Sequence, residues 1–273
     1  LYPAESQTSR WFEDLPVLPG LHNRLSASAV ETYKRCGLQF KLERDWRIAG
    51  KPAAAMQYGA AVHRVLKTYF DSVRLARPKS DEELLELFRI DLAAARIQEP
   101  YQHELYEKLG LVQLQDFLAK ARSIPASQVL HTEESFEIKI GDTTVAGRID
   151  RIDRLADGSV AIIDYKTGKA RDQDAADESL QLSLYAVAAA EKWGYKVGAL
   201  VFHNLEENVP VATLRSEAQL LSARACVEDA AKGIAEGVFD AKPGMHCNFC
   251  AYRMLCPEKE KRIPRLVQAV AKA

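Results

Sequence analysis

Long apolar runs are missing from these 273 residues. No uninterrupted apolar run approaches the roughly 20 residues needed to span a bilayer. The polar start, LYPAESQTSRWFEDLP, lacks the basic lead and apolar centre of a secretory signal. A charge imbalance is missing too. Lys and Arg total 37 against 38 Asp and Glu, a net charge of −1, so any nucleic-acid surface must be a local patch on a balanced background. There is no G-x4-G-K-[ST] loop, which excludes a P-loop motor, and no internal repeat or low-complexity segment. The cysteines number five (Cys36, Cys226, Cys247, Cys250 and Cys256), and three fall in the last 27 residues. An odd count without a secretory signal argues against a disulfide framework. It favours ligation of a metal or cluster in a reducing, cytoplasmic setting.

What is present reads as one large soluble domain after a lead-in. Residues 1–24 hold Pro3, Pro16 and Pro19 without a period and read as a tail or linker. With Leu1 in place of Met, they fit a piece of a longer chain. Residues 25–273 form the domain. Ser28 with Glu31 reads as a capping box opening a short helix toward Cys36. Residues 56–76 carry Val62, Leu66, Tyr69, Phe70 and Val73 at helical spacing, with His63 on the same helix. Ser80 and Glu83 cap the first helix of an insertion at 80–128 that shows no chemistry of its own.

Near residue 130 the period becomes two. VLHTEESFEIKI, TTVAGRIDRIDRL and SVAIIDYKT read as three strands joined by turns at Gly141-Asp142 and Asp157-Gly158. Residues 177–193 return to helical spacing, GYKVGALVFHNLE reads as a fourth core strand, and Ser216 with Gln219 caps a further helix to about Gly237. The fold class is therefore α/β, a mixed central sheet flanked by helices.

The chemistry concentrates on the hairpin. Asp150 ends Gly147-Arg-Ile-Asp150, seven residues before Asp157. Asp164 and Lys166 lie in Ile163-Asp-Tyr-Lys-Thr-Gly168, with Lys166 eight residues after Gly158. Antiparallel pairing brings Asp150 close to Asp164–Lys166, and period two puts Asp164 and Lys166 on one face. Two carboxylates and an amine then converge at one end of a sheet. Oxygen ligands of this kind suit Mg²⁺ or Mn²⁺, and a lysine beside them can orient water and stabilise charge on phosphate. A salt bridge at a strand end is the plain alternative. Asp153 reads as a surface residue, and His203 as structural.

GRID, then IIDYKTG, then Gln181-Leu-Ser-Leu-Tyr185, with Gly59-Ala-Ala-Val-His63 upstream, resembles the nuclease signature of the RecB/AddB-like branch of the PD-(D/E)XK superfamily. The resemblance runs from about Leu25 to Pro257. It implies a restriction-endonuclease-like core and hydrolysis of DNA phosphodiesters, in repair or recombination, from single-stranded ends. It also implies metal ligation by His63, Asp150, Asp164 and the backbone carbonyl of Tyr165, with Lys166 catalytic and Gln181 and Tyr185 facing the site. The segment is most similar to the nuclease end of a UvrD/AddAB-type helicase–nuclease, which implies a helicase region in cis or in trans. The rival is a non-catalytic DNA-binding or scaffolding module.

Cys247-x2-Cys250-x5-Cys256 grips one centre with three thiolates, and Cys36 is the obvious fourth. Four thiolates hold a [4Fe–4S] cluster or a tetrahedral Zn²⁺. The layout is similar to the AddB-type iron–sulfur staple, which favours iron and implies a structural clasp over 247–257 plus Cys36. Cys226 reads as a buried apolar residue and His246 as facing solvent. Basic residues for DNA phosphates group at Lys34, Arg35, Lys41, Arg44, Arg47 and Lys51, at Arg148, Arg151 and Arg154, at Lys169 and Arg171, and at Lys259, Lys261, Arg262 and Arg265. No base-reading motif is present, so cleavage without sequence recognition is expected.

Overall fold

A computed structural model describes residues 23–48 and 54–258. The lead-in up to residue 22, Lys51 and the basic tail from Lys259 lie outside the described residues.

In chain order the elements are β1 (Arg24–Leu25), α1 (Ala27–Arg35), α2 (Gly37–Phe40), α3 (Ala54–Arg74), α4 (Asp81–Ala94), α5 (Pro100–Ala121), β2 (Val129–Ile140), β3 (Thr143–Arg154), β4 (Val160–Lys166), α6 (Gln173–Asp177), α7 (Leu180–Trp193), β5 (Val197–Asn204), β6 (Val209–Thr213) and α8 (Glu217–Ala235). A π-helical turn, Lys41–Asp45, follows α2. None of the described helices is long and apolar enough to cross a membrane. The elements fall into two compact units. The larger holds residues 54–139 and 145–225, the smaller 23–48, 140–144 and 226–258.

The sheet of the larger unit is mixed, as the α/β reading expects. Strands β2 and β3 form a hairpin, β3 pairs antiparallel with β4, β4 runs parallel to β5, and β6 returns antiparallel to β5. The β3–β4 turn closes at Gly158, whose φ of 81° is left-handed and costs glycine nothing. The parallel β4–β5 step needs a crossover, which α6 and α7 supply. Strand β6, short and mostly exposed, carries no apolar alternation and was not expected from the sequence.

Helix α3 owes its place to a stripe of Tyr58, Ala61, Val62, Val65, Leu66, Tyr69 and Phe70, all buried at the i, i+3, i+4 spacing of one helix face. Onto it fold α4 and α5, contributing Leu84, Phe88, Leu92, Leu114, Phe117 and Leu118 to the same core as Ile163 and Tyr165 of β4. Each such large apolar side chain contributes roughly 1.5–3 kcal/mol on burial. The capping box at Ser80 is present, with Ser80 N donating to Glu83 Oε2 at 2.9 Å and Glu83 N donating to Ser80 Oγ at 3.2 Å. In the smaller unit the cap of α1 is Ser26, whose Oγ accepts from Ala29 N, and not Ser28. The helix starts two residues earlier than Ser28 and Glu31 suggest.

Two charged residues of β3 depart from expectation. Asp153 is buried, because α3 covers the face that the sequence leaves open. Its carboxylate meets Arg151 Nη2 at 3.1 Å, and the Arg151 guanidinium lies 4.1 Å over the Phe70 ring. Burial pushes the Asp153 carboxyl up, against the pull of Arg151. Arg151 therefore leaves the proposed phosphate-binding group, as does buried Lys41, which sits over the rings of Trp46 and Phe239.

Gly147 of the GRID run is a packing glycine. A β-carbon there would lie 2.5 Å from Phe136 Cζ, and the Phe136 ring in turn packs edge-on against Tyr185 at 5.9 Å. Gly147→Ala is expected to lower stability by about 1–3 kcal/mol through overpacking. Thermal denaturation checks this, and an unchanged midpoint would show that Phe136 yields freely.

Candidate active site

The β3–β4 ladder stops at Arg151 opposite Ile163. One rung further the strands carry acids instead of paired backbone. Asp150 Oδ2 accepts from Tyr165 N at 2.8 Å, so a side chain replaces the next ladder bond and is fixed by it. Asp164, on the same strand as Tyr165, is 3% exposed. Its Oδ2 is 2.6 Å from Lys166 Nζ, without hydrogen-bond alignment. Burial and the charge of Asp150 push the Asp164 carboxyl up, with Lys166 and His63 opposing.

Lys166 is held from three sides. Besides Asp164, Nζ donates to Gln181 Oε1 at 2.9 Å and lies 4.6 Å from the centroid of Phe202. Phe202 is the β5 register partner of Asp164, which explains its position. Gln181 and Tyr185 sit one turn apart on α7. Gln181 Nε2 donates to Tyr185 Oη at 2.7 Å, and Tyr185 Oη lies 2.8 Å from Arg148 O and 3.2 Å from Asp164 Oδ1. Burial, then the nearby Asp164 and Asp150, raise the Tyr185 hydroxyl well above its usual range, so it stays a proton donor.

His63 arrives from α3, its Nδ1 3.4 Å from Asp150 Oδ1 and 3.5 Å from Glu133 Oε1. Burial works to lower its pKa, but the hydrogen bonds and charges of Asp150 and Glu133 prevail and push it up to about 10. Gly59 allows this approach, since a β-carbon there would come within 3.0 Å of Thr167 Oγ1, just after Lys166. His63, Glu133 and Asp150 each offer a ligand atom within 4.8 Å of the others. A histidine nitrogen with the carboxylate oxygens of Glu133 and Asp150 fits a divalent cation in ligand type and spacing, while Asp164 lies outside that trio with its Oδ2 against Lys166.

The structure thus brings together Asp150, Asp164, Lys166, Gln181, Tyr185 and His63. The Tyr165 ring packs edge-on against Phe117 at 5.5 Å and against His63 at 6.1 Å, and lies tilted beside His203 at 5.9 Å. His203 bonds to Asn208 Oδ1 at 2.8 Å. The residues missed by sequence are Glu133, Phe202 and Arg148 as an ion-pair partner. Phe202 is legible only once β4 and β5 are paired.

A family model described as PD-(D/E)XK nuclease superfamily matches residues 24–257. The chain belongs to the PD-(D/E)XK nuclease superfamily. Its members use divalent metals, and His63, Glu133 and Asp150 bring suitable ligand atoms together. The chain is 27% identical over 264 residues to the Gene 69 protein of Mycobacterium phage D29, covering 85% of this chain and 96% of that protein. It is 31% identical over 119 residues to an ATP-dependent helicase/deoxyribonuclease subunit of Streptococcus uberis, covering 42% of this chain and 11% of that protein. The corresponding protein of Streptococcus equi subsp. zooepidemicus is 36% identical over 111 residues, 39% of this chain and 10% of its own length. The match therefore spans about a tenth of either helicase/deoxyribonuclease protein. The crystal structure of SSO0001 covers 92% of this chain and 94% of its own at 15% identity and a TM-score of 0.44.

In the smaller unit, Cys36, Cys247, Cys250 and Cys256 line one cavity of about 350 Å³, together with His246, Leu38 and Tyr252. Burial raises the Cys256 thiol, and the neighbouring Cys36, Cys247 and Cys250 sulfurs add to this. His246 lines the same cavity with its Nε2 buried, contrary to the solvent-facing expectation. Cys226 stands apart on α8, half-buried, its Sγ 3.2 Å from Lys34 Nζ.

Proposed function

We propose that this protein is a metal-dependent deoxyribonuclease that hydrolyses phosphodiester bonds from single-stranded DNA ends. The observation that carries the reading is the meeting of Asp150, Asp164 and Lys166 at the parting of β3 and β4, with His63 brought to Asp150. His63, Asp150 and Asp164, with the Tyr165 carbonyl, would hold Mg²⁺ or Mn²⁺. Such a cation supplies charge stabilisation at the phosphate and an acidified water. His63, held protonated by Asp150 and Glu133, would have to give up that proton to act as a ligand, so metal loading is expected to fall as pH drops. Lys166, steadied by Gln181 and Phe202, orients the attacking water toward phosphorus and neutralises the oxygens as the leaving P–O bond breaks. Tyr185 keeps Asp164 and Gln181 in register by hydrogen bonding.

The likeness to two streptococcal helicase/deoxyribonuclease proteins supports work beside a UvrD-like helicase region, in cis or in trans, in repair or recombination. The test is end-labelled single-stranded DNA incubated with Mg²⁺, with Mn²⁺ and with EDTA. Metal-dependent release of short products is expected. Folded, metal-supplied protein that cuts nothing, alone or with such a helicase, overturns the reading.

We further propose that Cys36, Cys247, Cys250 and Cys256 hold a [4Fe–4S] cluster as a structural clasp within the smaller unit. All four cysteines line one cavity, and four thiolates are the ligand set such a cluster takes. Protein purified without oxygen is expected to be brown, with four irons and four sulfides per chain. Cys36→Ala should lose both and melt at lower temperature. One zinc per chain and no iron overturns the assignment.

A further inference from the structure

Glu133 lies in the middle of β2 and breaks its pattern. The neighbouring residues of its phase, Ser135, Glu137 and Lys139, are more open to solvent, yet the Glu133 side chain is 7% exposed. Its backbone has a φ of 49°, a left-handed conformation that a non-glycine strand residue seldom adopts. The carboxylate reaches the His63 side chain of α3. Oε1 then reaches His63 Nδ1 at 3.5 Å, and Oε2 lies 2.5 Å from Arg148 Nε, buried but not aligned for a hydrogen bond. Arg148 is 62% exposed and lines the same open cavity of about 610 Å³ as His63, Arg64 and Lys67. The carboxylate therefore has one oxygen toward His63 and the other against Arg148, both of which line the cavity.

We propose that Glu133 is a further ligand of the cation held by His63 and Asp150, and that taking up the ion releases Arg148 from Glu133 to meet a backbone phosphate of DNA. The proposal rests on the nuclease reading for the identity of the site. The driving force is charge exchange. A buried carboxylate keeps a counter-ion, and a divalent cation between His63, Asp150 and Glu133 is a stronger one than a half-solvated guanidinium. The freed guanidinium is planar, exposed and suited to a phosphate. Ion loading and DNA binding are then coupled through one ion pair.

The test is Mn²⁺ titration followed by electron paramagnetic resonance, on wild type, Glu133→Gln, Glu133→Asn, Arg148→Ala, the Glu133→Gln/Arg148→Ala double variant and Asp150→Asn. Asn is included because it tolerates the left-handed backbone, so a folding defect does not mask the result. Both Glu133 variants are expected to bind Mn²⁺ at least about tenfold more weakly. Arg148→Ala should bind it more tightly, because nothing competes for the carboxylate, and the gain should vanish in the double variant. In EDTA, Glu133→Gln should bind single-stranded DNA more tightly than wild type. Unchanged Mn²⁺ affinity in both Glu133 variants overturns Glu133 as a ligand. Weaker or unchanged affinity in Arg148→Ala overturns the exchange. Asp150→Asn separates the two levels of the reading. If it too binds Mn²⁺ normally, the metal site itself is wrong, and if it alone loses the ion, only the part given to Glu133 fails.

Discussion

Lys166→Ala is expected to cleave single-stranded DNA about 10²–10³-fold more slowly while binding Mn²⁺ as wild type does. Its Nζ is 2.6 Å from Asp164 Oδ2 and 2.9 Å from Gln181 Oε1, and a protonated amine has no lone pair to offer a metal. Its loss therefore removes charge stabilisation of the reaction and leaves the ion. The variant should also melt at lower temperature without metal, because Asp164 is left buried with its nearest cation gone. Lys166→Arg should not restore cleavage, since a planar guanidinium cannot occupy the compact space between Asp164, Gln181 and the Phe202 ring. Single-turnover cleavage with saturating Mn²⁺ and calorimetry in EDTA are the measurements. Cleavage within a few-fold of wild type would remove Lys166 from the chemistry.

Asp164→Asn is expected to abolish cleavage and to stabilise the metal-free protein. Burial and the charge of Asp150 raise the Asp164 carboxyl above its unfolded value, so at neutral pH its ionised form is held at a loss. The sign follows from linkage. A raised native pKa means the folded state binds the proton more tightly, so stability is fullest below the unfolded carboxylate value and declines as pH rises through the native one. A neutral isostere escapes that decline. The gain in melting temperature should be a few degrees at neutral pH and absent in acid, near the unfolded carboxylate value of about 3.9. Metal should then stabilise wild type more than the variant. The opposite stability effects of Lys166→Ala and Asp164→Asn distinguish an electrostatic origin from lost packing, which would lower both. Thermal scans across pH in EDTA check this, and a variant less stable than wild type at neutral pH would refute it.

These expectations draw on a site that was largely legible before any tertiary structure. The turn at Asp157-Gly158 sets the register of its own hairpin, and register alone brings Asp150 opposite Asp164. Period two then gives Lys166 the same face, and a helical turn aligns Gln181 with Tyr185. The capping boxes at Ser80 and Ser216 are likewise contacts between residues three apart. Everything of this kind depends on hydrogen bonds and periods among near neighbours in sequence, which the order of residues determines.

What only the tertiary structure decided depends on partners far along the chain. Asp153 and Arg151 read as surface charges because period two cannot tell whether a second layer covers the other face. That cover is Phe70 on α3, more than 80 residues earlier. Phe202 meets Lys166 only through the parallel crossover that sets β5 beside β4. Glu133 escaped notice because its partner His63 lies on α3, 70 residues earlier, and no local pattern marks the pair. Cys36 shares a cavity with Cys247, Cys250 and Cys256 across some 200 residues, a proximity that spacing can suggest but only folding produces. The sequence by itself determined which groups lie at the end of the β3–β4 hairpin. The packing of α3 and β5 on that hairpin decided which of them are buried, which are paired, and which carboxylate faces the place of the metal.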